Sequence, residues 1–230
     1  MKRIFLIFLA AMVVTSVVSA QKQVGEPFLK KLTTGIELFS DIVMDAPDGI
    51  DFRTINQGVN VFGLYTYPIK ESNFAFAIGA GLGMHNFFSN GLLLNDSTNT
   101  SFFASLDTTK ALNGDKTDYK KNKISLTYLD FPVELRFKSE KGFRFAVGAK
   151  VGVKLNAHTK YKGDNFTDGS KIKIKESDLS NFETWRFGPT LQIGYKWVSI
   201  TGFYSITRIF KKNAGPQIYP VSIGISLRPF

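Results

Sequence analysis

The chain has 230 residues, 22 of them phenylalanine and 20 glycine, contains no cysteine and carries a formal net charge of +10 at neutral pH. Without cysteine there is no disulfide framework and no thiolate metal centre. The basic balance does not point to nucleic acid, because the cations fall in strand interiors and long loops behind a secretory leader.

Lys2 and Arg3 precede an apolar run from Ile4 to Val14, and Val18-Ser19-Ala20 follows. A charged head, an apolar stretch and a small-residue cleavage site in that order make a signal peptide. Residues 1–20 are expected to be removed near Ala20, leaving residues 21–230 as one domain. After the leader no stretch reaches the ~20 continuous apolar residues of a membrane-spanning helix, which leaves membrane strands open.

Gln21–Leu32 is a polar lead-in. The first strand, Thr33–Met44, sets Ile36, Leu38, Ile42 and Met44 on one face and Glu37 and Asp41 on the other. Asp45-Ala46-Pro47-Asp48-Gly49 is a turn cluster. The second strand is Gly58–Tyr67, with Val59, Val61, Tyr65 and Tyr67 on its apolar face, and a short connection leads to the third, Phe74–Phe87. There Gly79, Gly81 and Gly83 alternate with Ala80 and Leu82. The alternation runs straight through, without the strand–turn–helix context of a phosphate loop, so these glycines relieve crowding.

Ser89–Asn122 is a long polar loop. The fourth strand, Lys123–Lys138, has Ile124, Leu126 and Tyr128 in one phase and Leu129, Phe131, Val133, Leu135 and Phe137 in the other, and a β-bulge near Tyr128–Leu129 is expected to absorb the flip. The fifth, Phe143–His158, is the clearest: its odd positions are all apolar, while its even positions are small, polar or cationic. His158–Asn181 is a second long, lysine-rich loop. Its Asp164–Gly169 segment resembles a calcium loop but has Phe166 where the third ligand belongs, so no metal site is expected. The sixth strand is Thr184–Tyr195. A two-residue turn, Lys196-Trp197, pairs Tyr195 with Val198 and opens the seventh, Val198–Phe210, and the eighth is Ile218–Phe230.

Eight strands make an even count, and short connections after the second, fourth and sixth alternate with longer ones. Outer-membrane barrels have short periplasmic turns and long extracellular loops. The expected fold is therefore an all-β, eight-stranded antiparallel transmembrane barrel of the outer membrane, with both termini in the periplasm. A secreted soluble eight-stranded barrel is the alternative, but it has no reason to alternate its loop lengths. Tyr67, Phe74, Phe137, Phe143, Tyr195 and Trp197 all fall at periplasmic strand ends and form an aromatic girdle.

The segment Leu126-Thr127-Tyr128-Leu129-Asp130-Phe131-Pro132-Val133-Glu134-Leu135, the strand that follows it and the terminal Phe230 resemble the PorT-like outer-membrane barrels of Bacteroidetes, with Asp130 in place of the usual glutamate and Phe131 in place of the usual isoleucine. The resemblance implies the same barrel class. It also implies assembly through a C-terminal strand ending at Phe230 by the barrel-assembly machinery, and a link to protein secretion, in which the family's namesake takes part.

Strand parity places Glu37, Asp41, Asp130 and Glu134 in the lumen with Arg136, Arg144, Lys150, Lys154, Arg186, Lys196 and Arg228, as an internal ion network. Eight strands enclose a bore just wide enough for side chains to fill. The expected function is a structural or accessory barrel, contacting outer-membrane lipid around its wall and secretion or surface proteins through its long loops. The cationic excess makes a narrow anion-preferring channel an alternative. A lipid-modifying enzyme is a third reading. His85 and His158 lie near extracellular strand ends, yet no nucleophile motif accompanies them, so no catalysis and no cofactor is expected. In the hairpin of strands four and five, the simplest register sets residue 137 opposite 143. That puts Asp130 opposite Lys150 as an ion pair and Glu134 diagonal to Arg144.

Overall fold

The computed structural model describes residues 31–106, 118–177 and 179–228. The expected signal peptide and the terminal Phe230 lie outside the described residues. The strands are β1 (Leu32–Met44), β2 (Gln57–Pro68), β3 (Phe74–Phe88), β4 (Gly91–Asn95), β5 (Ser101–Ser105), β6 (Tyr119–Lys138), β7 (Phe143–Asp164), β8 (Lys171–Ser177), β9 (Trp185–Tyr195), β10 (Val198–Tyr204) and β11 (Tyr219–Leu227). Eight of them close a ring in the order β6-β3-β2-β1-β11-β10-β9-β7, with β7 paired back to β6, and every pairing is antiparallel. A ring leaves no sheet edge unpaired, which is the condition for strands to cross lipid.

The distribution of polarity decides what surrounds the ring. Leu38 is 58% exposed and Ile200 66%, whereas Asp41 and Asp130, on the inner face, are 0% and 1% exposed. A water-soluble barrel would bury the first pair and expose the second. Here the apolar face looks outward along every strand of the ring, as a membrane barrel requires.

Three expectations are corrected. First, β6 does not change phase. Ile124, Leu126, Tyr128, Asp130 and Glu134 are all buried on one inner face. The bulge sits across the pair on β7, where Thr127 meets Asn156 but Tyr128 meets Lys154, leaving Leu155 as the extra residue. Beyond it the phase of β7 inverts: Ala157 and Tyr161 turn inward, and His158 joins the outer face. The apolar residues on the upper half of β6 face in because the lumen itself is apolar at that level.

Second, the β6–β7 register is displaced by two. Gly142 donates its N–H to Ser139 O at 3.0 Å, Ser139 donates to Phe143 O at 2.9 Å, and Gly142 takes a φ of 89°. This is a three-residue turn closed by a glycine in the left-handed region. It sets Phe137 opposite Phe145, Asp130 opposite Gly152 and Lys150 opposite Pro132. The Lys196-Trp197 turn, in contrast, pairs Tyr195 with Val198 as expected.

Third, the long connections contain structure. β4 and β5 form a hairpin inside the first long loop, and β7 runs six residues past His158 to pair with β8 inside the second. The seventh barrel strand stops at Tyr204, short of the expected Phe210, and beyond it the ladder becomes irregular, with Ser205 N–H donating to Pro220 O at 3.1 Å, Ile206 N–H to Phe187 O at 3.0 Å and Ile209 N–H to Ile218 O at 2.9 Å. Ser205 Oγ donates to Thr207 O at 2.9 Å, and Ile209 and Phe210 turn into the barrel mouth, 3% and 1% exposed.

Candidate functional site: a sealed lumen

The inner face of the ring carries two layers of ions beneath an apolar plug. In the layer nearer the short-turn end, Arg228 of the segment after β11 grips Glu134 of β6 with both terminal nitrogens, at 3.1 and 3.2 Å. Arg136 Nε donates to the same carboxylate at 2.9 Å. Glu37 of β1 lies 4.0 Å from Arg228 and accepts from Asn60 at 2.9 Å. Two carboxylates thus face two guanidinium groups. Glu134 pairs with Arg228 and Arg136, and the expected diagonal to Arg144 is replaced by this cross-lumen pair.

The second layer lies at mid-barrel. Arg186 of β9 binds Asp130 bidentately, Nε to Oδ1 at 3.1 Å and Nη2 to Oδ2 at 2.6 Å, and Lys150 Nζ stands 3.9 Å from the same Oδ2. So Asp130 and Lys150 do meet, but diagonally, and Arg186 is the stronger partner. Gly152 makes the room: a Cβ there would sit 2.3 Å from Asp130 Oδ1 and 2.9 Å from Arg186 Nε. The same arginine's Nη1 lies 2.6 Å from His85 Nε2, and His85 Nδ1 lies 2.7 Å from Asp41 Oδ2. A guanidinium only donates, so Nε2 must accept and Nδ1 carries the proton given to Asp41. His85 is therefore a neutral link, and Asp41 and Asp130 balance Lys150 and Arg186. Ser222 Oγ completes Asp41's shell at 2.6 Å. Tyr128 lies 4.0 Å from the guanidinium carbon of Arg186, and Phe203 4.2 Å from Lys150 Nζ, so aromatic faces line both cations.

Above these layers Phe87, Ile124, Leu126 and Ala157 from the wall pack with Leu93 of β4 and with Phe182, Ile209, Phe210 and Ile218 from the connections. Phe182 and Phe210 stack at 4.7 Å, and Phe103 of β5 meets Phe210 edge-on at 6.2 Å. The connections fold into the mouth and close it with hydrocarbon.

Not every expected lumen ion belongs to the network. Lys154 faces inward but donates to Phe182 O at 2.7 Å, which ties it to the plug. Lys196 is exposed in its turn, at a φ of 51°, with its ammonium 5.3 Å from the Tyr195 ring; leaving the strand took it out of the lumen. Arg144 lines the short-turn mouth beside Arg136 and Arg228. Of the girdle residues, Tyr67, Phe74, Phe143, Tyr195 and Trp197 are exposed on the outer wall at the short-turn end, and Phe137 packs against Phe74 at 5.2 Å. A second set, Trp185 and Tyr204, stands exposed at the opposite end of the apolar band. Their outward parity at the long-loop ends of two strands is a signal that sequence reading passed over. Near the upper hairpin, Asp164 pairs with Lys171 at 2.5 Å and Asp168 accepts from Ser170 Oγ at 2.7 Å, so both carboxylates serve the turn itself. His158 hydrogen-bonds Asn156 at 3.1 Å. Outside the membrane-spanning part, its imidazole is held below the usual range by burial and by Lys175, Lys123 and Lys160.

One comparison with known proteins, that with family models, agrees with this geometry. A family model described as an outer membrane protein β-barrel domain matches residues 29–211. Among solved structures the chain is similar to Ail, the attachment invasion locus protein of Yersinia pestis, at 12% identity over 86% of this chain and 97% of that one, with a TM-score of 0.39. A mutant porin of Rh. blastica matches at 9% identity over 86% and 99% of the two chains, with a TM-score of 0.22. No curated protein matches.

Proposed function

Since this chain belongs to the outer membrane protein β-barrel domain family, we propose that it is a non-conducting accessory barrel, a membrane-embedded base that holds an ordered β-platform outside the cell for protein partners. The observation that carries this reading is the filled bore: two layers of paired ions lie under an apolar cluster to which the long connections contribute Leu93, Phe182, Ile209, Phe210 and Ile218. In this reading the short turns face the periplasm and the long connections face outward, as in barrels of this class. The resemblance of the Leu126–Leu135 strand to PorT-like barrels adds the class of partner, components of protein secretion across the outer membrane.

The balanced layers also speak for this reading over an anion-preferring channel, since each lumen cation of the two layers has a carboxylate at hand. Against a lipid-modifying enzyme stands the setting of the histidines: His85 bonds Asp41 and Arg186, His158 bonds Asn156, and neither hydrogen-bonds a serine among the described residues.

The test has two parts. Purified protein in planar bilayers should give no reproducible conductance steps; steady anion-selective steps would overturn the non-conducting reading. On intact cells an impermeant thiol reagent should label Thr167→Cys at the β7–β8 tip and leave Glu140→Cys in the short turn unlabelled. The reverse would invert the barrel.

A further inference from the structure

Beyond the bulge at Leu155, β6, β7 and β8 continue as one sheet, with β3 still paired to β6 as far as Phe88 opposite Lys123 and three strands running on above that row. Register brings its lysines into line. Lys121, Lys162 and Lys173 lie directly opposite one another across the three strands, and Lys123, Lys160 and Lys175 form the next row down. Strand spacing near 4.8 Å and a two-residue repeat near 7 Å place these six cations in a patch about 10 by 7 Å. Like charges directly opposite on one face destabilise a sheet. The cost shows on Lys123, whose ammonium is pushed down to about 8 by burial, then by Lys121 and Lys160. No acid is ion-paired to these six among the described residues. In the next row up, by contrast, Lys171 has Asp164 at 2.5 Å and Asp118 at 3.7 Å. The sheet's lower rows hold concentrated positive charge that no described carboxylate pairs with.

The lysines share the outer face of β7 with His158, while Tyr161 between them is buried on the inner face. Below His158 that outer face continues into Leu155, Val153 and Val151, the lipid-facing wall. Lys160 is five residues above Leu155, about 17 Å along the strand and about 13 Å in height at a barrel tilt near 40°. This is above the few ångströms of an ordinary glycerophospholipid headgroup. It is the height of a headgroup made of several sugars, and lysine stems can reach down toward the interface.

We propose that the six-lysine face of the β6–β7–β8 sheet binds the phosphorylated sugar headgroups of outer-leaflet glycolipid, anchoring the platform to the membrane surface beside the barrel. The proposal rests on the outward placement of the long connections given above. Charge complementarity and continuity with the lipid-facing wall select the occupant: a soluble polyanion would satisfy the charge but gives no reason for the patch to stand on the extension of that wall.

The test uses the protein in phosphatidylcholine nanodiscs doped with lipopolysaccharide truncated to a phosphorylated core of several sugars or with the same lipid stripped of phosphate, and reads the lipid carried through detergent extraction by native mass spectrometry. The wild type should retain the phosphorylated lipid at least fivefold over the stripped one. The triple variant Lys160→Gln, Lys162→Gln, Lys175→Gln should lose that preference, and Lys171→Gln should keep it. A heat-modifiable gel shift confirms that each variant is folded, and removal of mutual repulsion favours the triple variant's folding. Equal retention of both lipids by the wild type, or an unchanged preference in the triple variant, would overturn the proposal. So would a triple variant that loses binding to soluble dextran sulfate while keeping the lipid preference, which would assign the patch to a soluble polyanion. Nanodisc retention does not depend on orientation in the cell, so a failure here is distinct from a failure of the thiol-labelling test.

Discussion

At the scale of single residues the mid-barrel layer is the most demanding part of the molecule. Asp130 is fully buried and depends on the two-pronged contact from Arg186, with Lys150 further off. Removing one member of such a pair leaves an uncompensated buried charge, whereas removing both is far milder. Arg186→Met should therefore cost about 3–5 kcal/mol, and Arg186→Met with Asp130→Leu clearly less. Urea unfolding of the refolded barrel in detergent measures both; additive losses would show that the two side chains do not act as a pair. Lys123 gives a second expectation, one of pH. Its neighbours are Lys121 on its own strand, Lys160 across the pair, Asn86, which it contacts through Nζ, and the Phe88 ring, over which Arg53 also lies. With a folded pKa of about 8 against an ordinary 10.5, its protonated form weighs against the fold, so this contribution to stability improves as pH climbs from about 8 toward the ordinary value. Competitive acylation should show Lys123 half-reactive near pH 8 and Lys171, raised by its bond to Asp164, at higher pH. Lys160→Gln should move the Lys123 midpoint upward. Coincident midpoints for the two lysines would contradict the account.

At the scale of elements β7 matters most, because one strand belongs to two environments. Up to Lys154 its even positions face the lumen, and after Leu155 its odd positions do. The inserted residue shifts the inward positions from even to odd numbers, so Ala157 packs into the plug while Lys160 and Lys162 point away from it. Deleting Leu155 should therefore remove the bulge without turning either face: Lys154 stays opposite Tyr128, Asn156 opposite Thr127, and Ala157 and Tyr161 stay inward. The lower barrel, paired independently through β7–β9 and the short turn, should still form. Limited proteolysis should then leave residues 156–177 protected, and the heat-modifiable gel shift should persist. New cutting within that segment would mean that Leu155 is not a simple extra residue in the ladder.

At the scale of the whole molecule the arrangement is that of a soluble protein turned inside out around a thin polar core. The apolar band faces lipid, and Val151 stands within it, exposed on the outer wall. Val151→Arg should cost about 2–4 kcal/mol if the position is near the bilayer midplane, with a much smaller effect for Lys162→Arg on the platform. Folding equilibria in lipid vesicles read the difference directly. Equal effects at the two positions would remove the membrane assignment of the band.

How far the chain could be read in advance follows from the range of the interactions involved. The period-two pattern is local: Phe143 to Val153 declares its own two faces without reference to any other strand, and eight such patterns separated by alternately short and long connections leave a closed membrane ring as their common solution. The inward placement of Asp41, Asp130, Glu134, Lys150, Arg186 and Arg228 was legible for the same reason, as was the outward one of Tyr67 and Phe143, whereas Lys196 left the lumen for its turn. What parity cannot carry is register and reach. The left-handed Gly142 moved the β6–β7 pairing by two and set Asp130 against Gly152, so its ion partner came from β9, one strand further along the wall, where Arg186 faces the same glycine. The inward phase of Ile124, Leu126 and Tyr128 contradicted the lipid-facing phase of Leu129 to Phe137 only while the lumen was taken as polar throughout. Phe182 and Phe210, far away in sequence, make it apolar at that height. The lysine rows, too, exist only once three strands are in register, since in the sequence the six fall into three pairs far apart from one another. Local periodicity determined the wall; contacts between residues distant in sequence decided what fills it and what stands on top.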